Sequence, residues 1–127
     1  MREFLIGLAL SVMAASAQAQ WVLVAEGKNG DNFYADPTTK RRTGNVVRIW
    51  EMQDYLKPEI SSGKLSYSTV VYREYDCVNK MFQTLQGTEF AGQMATGESL
   101  GTHTRPANKG FVPPGTVANI IFNFACN

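Results

Sequence analysis

The sequence has very few of the side chains on which most catalytic and metal sites depend. Its 127 residues include one histidine, His103, and two cysteines, Cys77 and Cys126. A structural zinc site needs four ligands, and two cysteines with one histidine fall short of that number. A cysteine nucleophile needs a neighbouring base, and His103 is the only histidine that could serve. The net charge of only +1 gives no reason to expect nucleic acid or an acidic substrate. We therefore predict no cofactor and no metal.

The chain also lacks an apolar run long enough to span a membrane. The apolar run at residues 4–15 is shorter than the roughly 20 residues that a transmembrane helix needs. It is followed by Ala17 and Ala19, small residues at the −3 and −1 positions of a cleavage site. This pattern is typical of a secretory signal peptide, and no cysteine follows it for a lipid anchor. We expect residues 1–19 to be the signal peptide and residues 20–127 to be one exported domain, with the periplasm as its expected compartment and the cell surface or the medium as alternatives.

The two cysteines are expected to pair. In an exported chain, exactly two cysteines indicate one disulfide. A bond between Cys77 and Cys126 would close a loop worth roughly 4 kcal/mol by loop-entropy arithmetic. That is a large part of the about 5–15 kcal/mol by which a small domain is usually stable.

Most of the chain after residue 20 has the composition of strands separated by turns. Strands are predicted at residues 21–26, 32–35, 46–54, 65–76, 80–85 and 88–94. Residues 46–54 carry apolar side chains on both faces, which indicates a central strand. Pro37 is expected to end the second strand because it has no N–H for the ladder. Residues 38–44, 55–63 and 95–110 are predicted to be loops.

The last segment fits two patterns. A helical stripe is formed by Val117, Ile120, Ile121 and Phe124. A strand-like alternation is formed by Ile120, Phe122, Phe124 and Cys126. Thr116 is a suitable helix N-cap, so the local pattern slightly favours the helix. On an ideal helix Cys126 lies away from the stripe, so the last turn is expected to unwind if it is to reach Cys77.

Several short motifs together resemble the surface-adhesin protein E family of Gram-negative bacteria. They are Trp21, Phe-Tyr-Ala-Asp-Pro at 33–37, Val-Val-Arg-Ile-Trp at 46–50 with Asp-Tyr at 54–55, Tyr-Asp-Cys at 75–77, and Pro-Pro-Gly-Thr at 113–116 leading to Cys126. The resemblance implies an α+β fold, in which an antiparallel sheet of about six strands carries a C-terminal helix on one face. It also implies that the Cys77–Cys126 disulfide ties this helix to the sheet, and it makes the helix the preferred form of the last segment.

The resemblance implies a binding protein and not an enzyme. The family's namesake is a surface lipoprotein that binds extracellular-matrix and serum proteins of the host. We therefore expect an exported, non-enzymatic protein that makes protein–protein contacts in the periplasm or at the cell surface, including adhesion to host matrix proteins. The expected partner is a protein, with no nucleic acid and no membrane span.

Two sets of side chains are candidates for that contact. The basic run formed by Lys40, Arg41 and Arg42 is the predicted ligand contact. Together with Arg48 it forms a basic cluster suited to acidic proteins, heparin-like glycans or the membrane surface. Tyrosine, which interfaces favour, recurs on the long predicted strand at Tyr67, Tyr72 and Tyr75.

Two alternatives remain open. The Ser-Gly-Lys sequence at 62–64, followed by Tyr67, is similar to a loop of periplasmic lysozyme inhibitors, so the first alternative is an enzyme inhibitor. The second is a small hydrolase, which would need two carboxylates in one cleft. The candidates for that pair are Glu51, Asp54, Glu74 and Asp76.

Overall fold

The structure, a computed structural model, describes residues 18–127, and the predicted apolar run at 4–15 lies outside the described residues. Within them, seven strands form one antiparallel sheet and one α-helix follows. The elements are β1 Val22–Glu26, β2 Asn32–Thr43, β3 Val46–Ser61, β4 Lys64–Asp76, β5 Met81–Phe90, a short 3₁₀ helix Gln93–Ala95 where a strand was predicted to continue to residue 94, β6 Ser99–His103, β7 Gly110–Phe111 and α1 Val117–Cys126. The predicted fold class and the C-terminal helix are confirmed.

The sheet is a meander in which each of the strands β2 to β6 pairs with the strand before it. The order is β1-β2-β3-β4-β5-β6, and the short β7 lies beside β5. The two longest strands, β3 and β4, occupy the middle, as the two-sided apolar pattern of residues 46–54 predicts. Residues 95–110, predicted to be a loop, include β6 and the first residue of β7.

The second strand is longer than predicted because the chain bulges around its proline. β2 continues past Pro37 to Thr43, with a register shift between Asp36 and Arg41. The bulge takes Pro37 out of the ladder, where its missing N–H does no harm. The hydroxyl of Thr39 accepts a hydrogen bond from the main-chain N–H of Trp50 at 3.1 Å. The prediction that residues 38–44 form an exposed connection was wrong.

The predicted boundaries of two further strands were also wrong. β3 does not end near residue 54 but passes a register shift between Asp54 and Glu59 and runs to Ser61. A two-residue turn follows at Ser62 and Gly63, whose positive φ angles of 48° and 77° match a tight hairpin turn. β5 is likewise one strand across residues 86–87, where two were predicted.

The helix begins as predicted, but one residue of its predicted stripe is exposed. The hydroxyl of Thr116 accepts a hydrogen bond from the N–H of Asn119 at 3.2 Å, which confirms the N-cap. The buried helix residues are Ile121, Phe122 and Ala125, whereas Ile120 is 49% exposed. Of the predicted stripe, Val117, Ile121 and Phe124 pack in or against the core, and only the placement of Ile120 was wrong. Small Ala125, which a search for bulky side chains overlooks, packs against the sheet.

Cys126 lies at the border of the buried side of the helix. The Cys77–Cys126 disulfide forms with the two Cα atoms 5.7 Å apart, and α1 stays helical through Cys126. The expected unwinding of the last turn was wrong. The disulfide itself is confirmed, and it holds the end of the helix to the end of β4.

The core lies between α1 and one side of the sheet, which we call the helix face. Its buried sheet residues are Ala35, Val47, Ile49 and Tyr75. The rings of Tyr75 and Phe122 meet edge to face with their centroids 5.8 Å apart. We call the opposite side of β2, β3 and β4, which carries Asp36, Trp50 and Tyr72, the open face. Successive side chains of a strand alternate between these two faces.

Candidate functional site

A stacked aromatic pair occupies the middle of the open face. Trp50 on β3 and Tyr72 on β4 are directly opposite in the register, and their ring centroids lie 4.9 Å apart. Both side chains are half-buried. Aromatic cross-strand pairs stabilise a sheet, but this pair is not covered by the helix. It therefore presents apolar surface where a partner could reach it.

Two shallow pockets adjoin this pair. One, of about 350 Å³, is lined by Trp21, Trp50, Val70 and the threonines of the β2 bulge. The other, of about 560 Å³, is lined by Tyr72, Glu74 and the guanidinium side chains of Arg41 and Arg48. The first is mainly apolar in its side chains and the second is charged. Together they suit a ligand that combines an apolar group with an anionic one.

The predicted basic contact is divided between the two faces of the sheet. Because residues 40–42 lie on a strand and not in a turn, Lys40 and Arg42 reach the helix while Arg41 lies on the open face. Lys40 Nζ donates to the main-chain oxygens of Asn127, at 2.6 Å, and Phe124, at 3.4 Å. Arg42 Nη1 donates to the carbonyl oxygen of Cys126 at 3.1 Å. Cations at this position satisfy the free carbonyls and the negative end of the helix dipole.

Arg41 instead faces another arginine. It lies directly opposite Arg48 in the register of β2 and β3, and Arg48 in turn lies opposite Glu74. Arg48 Nε donates to Glu74 Oε2 at 2.9 Å, whereas within residues 18–127 Arg41 donates only to the main-chain oxygens of Thr38 and Lys40. Like charges directly opposite each other on a sheet are unfavourable. An anion placed between the two guanidinium groups would relieve that repulsion.

The three tyrosines have different surroundings. Tyr72 belongs to the open face, whereas Tyr67 is half-buried on the other side and Tyr75 is 2% exposed in the core. Tyr75 donates its hydroxyl to Glu51 Oε2. Burial, followed by the negative charge of Glu51, raises the pKa of Tyr75 above the usual range for tyrosine. Only Tyr72 of the three is placed for contact on the open face.

Glu51 belongs to a polar cluster under the helix. Arg73 Nη1 lies 3.2 Å from Glu51 Oε1, on the other side of the carboxylate from Tyr75. Burial raises the pKa of Glu51, while the Arg73 charge and the Tyr75 hydrogen bond oppose that rise. The neighbouring cavity, which Ile121 also lines, has a volume of about 50 Å³. Such a space suits ordered water and is far too small for a sugar ring.

The other candidate carboxylates each have a separate structural partner. Asp54 Oδ1 accepts the N–H of Met94 at 2.8 Å, and Glu74 pairs with Arg48 as described above. Asp76 accepts the N–H groups of the turn that follows it, and its hydrogen bonds with Asn79 lower its pKa. Glu74 and Asp76 do line one pocket together, but its volume of about 70 Å³ is too small for a sugar ring. Among residues 18–127, no three of the histidine, cysteine, aspartate and glutamate side chains gather as metal ligands.

Comparison with known proteins assigns the family. A family model described as surface-adhesin protein E matches residues 21–127. The chain belongs to this surface-adhesin family. Two crystal structures of Haemophilus influenzae protein E share its fold. The first, crystal form II, has a TM-score of 0.66 at 11% identity, covering 87% of this chain and 90% of that one. The second, the selenomethionine form, has a TM-score of 0.62 at 13% identity, covering 87% and 88%. No curated protein matches the sequence.

The family assignment confirms the resemblance on which the sequence interpretation relied. No helix in residues 18–127 has the length and apolar character needed to cross a bilayer. Trp21 and Trp50 were not among the predicted contact residues. A signal for Trp50 was present, since it shares one face of the predicted strand at 46–54 with Arg48.

Proposed function

We propose that this member of the surface-adhesin protein E family is an exported, non-enzymatic protein that binds a protein partner on its open face. One observation carries the proposal. The stacked Trp50 and Tyr72 lie uncovered beside Arg41 and Arg48, on the side of the sheet that α1 leaves free. Tryptophan, tyrosine and arginine are the residues that most often dominate binding energy in protein interfaces.

The chemistry of the face defines the partner segment. A carboxylate between Arg41 and Arg48 would satisfy both guanidinium groups, which favour bidentate contacts with anions. An apolar side chain next to that carboxylate would enter the pocket of Trp21, Trp50 and Val70. The partner is thus an acidic segment with an apolar anchor, and host matrix proteins are the class that the adhesin family suggests.

The predicted contact at Lys40, Arg41 and Arg42 narrows to Arg41 in this proposal. Purified protein is tested on immobilised matrix proteins and on heparin, with Arg41→Ala and Arg48→Ala as variants. Loss of a charged hydrogen bond costs about 1.5–3 kcal/mol, so each variant should bind roughly tenfold or more weakly. Rising salt should weaken binding by the parent protein. It should weaken binding by a variant that carries both Arg41→Ala and Arg48→Ala much less.

Two controls distinguish a specific contact of Arg41 with the partner from a general effect of positive charge. Arg105→Ala removes an equally exposed arginine from the β6–β7 connection and should leave binding unchanged. Lys40→Ala should lower stability at the helix end without changing the affinity of the folded protein. Equal losses at Arg41 and Arg105, or no binding by the parent protein, would contradict the proposal.

Localisation decides which partners are within reach. We propose export through the signal peptide at 1–19, with the periplasm as the first compartment and the cell surface or medium as further ones. Cell fractionation with a tagged copy, combined with protease treatment of intact cells, measures this directly. A protein found solely in the periplasm would rule out adhesion of the intact cell to host matrix.

The β3–β4 hairpin supports a second function, inhibition of an enzyme. Its tip exposes an apolar pair, Ile60 at 77% and Leu65 at 54%, on either side of Ser62 and Gly63. Lys64 forms only an exposed ion pair with Glu98, at 3.5 Å. Such a tip has the shape to enter a cleft. Purified protein should then slow lysozyme, and Lys64→Ala should restore its rate; an unaffected rate at micromolar excess would exclude this function.

A further inference from the structure

Asp36 is a buried carboxylate held at the start of the β2 bulge. The residue is 2% exposed. Asp36 Oδ1 accepts the main-chain N–H of Thr38 at 3.0 Å and its hydroxyl at 2.5 Å, and Oδ2 accepts the main-chain N–H of Gln20 at 3.0 Å. Burial alone would raise the pKa of Asp36, but the hydrogen bonds from Thr38 and Gln20 outweigh it and lower the pKa. The carboxylate is therefore ionised at neutral pH.

No cationic side chain within residues 18–127 neutralises this charge. The ion pairs of that part of the chain join Arg48 to Glu74, Lys64 to Glu98 and Arg73 to Glu51. The pocket around Asp36 is lined by the uncharged residues 18 and 19 and by Trp21, Thr38, Thr39, Trp50 and Val70. Asp36 is the only titratable side chain among them. Buried carboxylates normally have a cationic partner, and residues 18–127 do not supply one for Asp36.

We propose that Asp36 is the binding site for the α-ammonium group that cleavage after Ala19 creates on Gln20. The inference rests on the predicted signal peptide and is independent of the proposed binding function. The atom that would carry the charge, the main-chain nitrogen of Gln20, already lies 3.0 Å from Asp36 Oδ2. Cleavage thus turns a neutral hydrogen bond into a charge-assisted one without moving the chain. It also removes Gln18 and Ala19 from the pocket beside Trp50.

The ion pair has a chemical consequence for Gln20. An amino-terminal glutamine cyclises when its neutral α-nitrogen attacks its own side-chain amide carbon. The new N–C bond forms, the bond to the side-chain nitrogen breaks, and ammonia leaves. An ammonium group has no lone pair for this attack, so pairing with Asp36 protects the free amino terminus.

The expected protection follows from the pKa of the amino group. An unperturbed α-amino group has a pKa of about 7.7–8.0 and is therefore roughly half neutral at pH 8. A neighbouring carboxylate raises that pKa, and a rise of about one unit would reduce the neutral fraction at pH 8 roughly fivefold. Because the folded-state pKa is then the higher one, the stabilisation is complete below about pH 7.7 and is lost as the pH rises through the raised value.

The test follows ammonia loss from the exported, processed protein. Its amino terminus is identified by mass spectrometry, and the protein is then incubated at pH 8 alongside Asp36→Asn and the control Asp54→Asn. Asp54 undergoes the same chemical change and also accepts a main-chain N–H, but from Met94. We expect Asp36→Asn to cyclise about fivefold faster than the parent protein, and Asp54→Asn to cyclise at the parent rate.

Three results would overturn the proposal. These are an amino terminus other than Gln20, a parent protein that cyclises as fast as Asp36→Asn, and a parent protein that is already cyclised when isolated. If Asp36→Asn does not fold, the proposal is tested on the parent protein instead. The pKa of its α-amino group is then measured from the pH dependence of amine labelling. A value within the unperturbed range of about 7.7–8.0 would refute the ion pair, and a raised value would support it.

Discussion

Two adjacent isoleucines provide a direct test of how α1 lies on the sheet. Ile121 is 4% exposed against the core, whereas its neighbour Ile120 is 49% exposed. Replacing Ile121 by alanine removes three buried carbons at about 0.8 kcal/mol each and leaves a cavity, so we expect a loss of roughly 3 kcal/mol. The same replacement at Ile120 removes half-solvated carbons, and the better helix propensity of alanine offsets part of that loss. We expect a cost below about 1 kcal/mol there.

Thermal and urea unfolding, followed by circular dichroism with the disulfide intact, measure both variants under identical conditions. A difference of about 2 kcal/mol corresponds to roughly 8–16 °C in Tm for a domain of this size. The substitution is chemically the same at both positions, so differences in side-chain type cannot explain a gap. Equal losses, or a larger loss for Ile120→Ala, would mean that Ile120 faces the sheet and that this orientation of the helix is wrong.

Three other changes probe the helix attachment and the buried cluster. Replacing Cys77 and Cys126 together by alanine should reduce the free energy of unfolding by about 2–4 kcal/mol, and an unchanged Tm would show that the bond contributes nothing. Thr116→Ala should cost about 1 kcal/mol through loss of the N-cap, with Thr116→Ser as the conservative control. The pKa of Glu51 is raised on folding, so its stabilising contribution is complete below its unfolded pKa and declines as the pH rises through the folded value. Urea unfolding across pH 4–8 should show the stability of the parent protein falling relative to Glu51→Gln, and a relative rise would mean that pairing with Arg73 outweighs burial.

Much of the architecture could be predicted because its signals are local or cumulative. The N-cap at Thr116 depends on one side chain and its nearest neighbours, and the disulfide follows from a chain with only two cysteines. Strand ends were harder to predict, because the structural effect of Pro37 or Gly63 depends on whether the residue lies inside a paired ladder or outside it. A bulge accommodates the first and a hairpin turn uses the second. Neither outcome can be inferred without knowing which strands pair.

The binding face shows the same limit more sharply. Three consecutive basic residues form one positive cluster if they lie in a turn, but two opposed groups if they lie on a strand. Because β2 includes residues 40–42, the alternation of side chains between the two faces of a strand separates Arg41 from Lys40 and Arg42. The pairing of Arg41 with Arg48 and the stacking of Trp50 on Tyr72 depend on the register of three strands. Composition and spacing do not encode that register.

The position of α1 after all the strands determines how the molecule closes. Since each of the strands β2 to β6 pairs with its predecessor, the sheet is built from local contacts with short loops and little entropy cost per pairing. The apolar side of that sheet is covered only by the last element of the chain, α1. In reducing surroundings packing alone holds the helix in place, whereas oxidation of Cys77 and Cys126 acts as a latch. Oxidation should therefore make the closed form more stable, by the roughly 2–4 kcal/mol expected for such a bond.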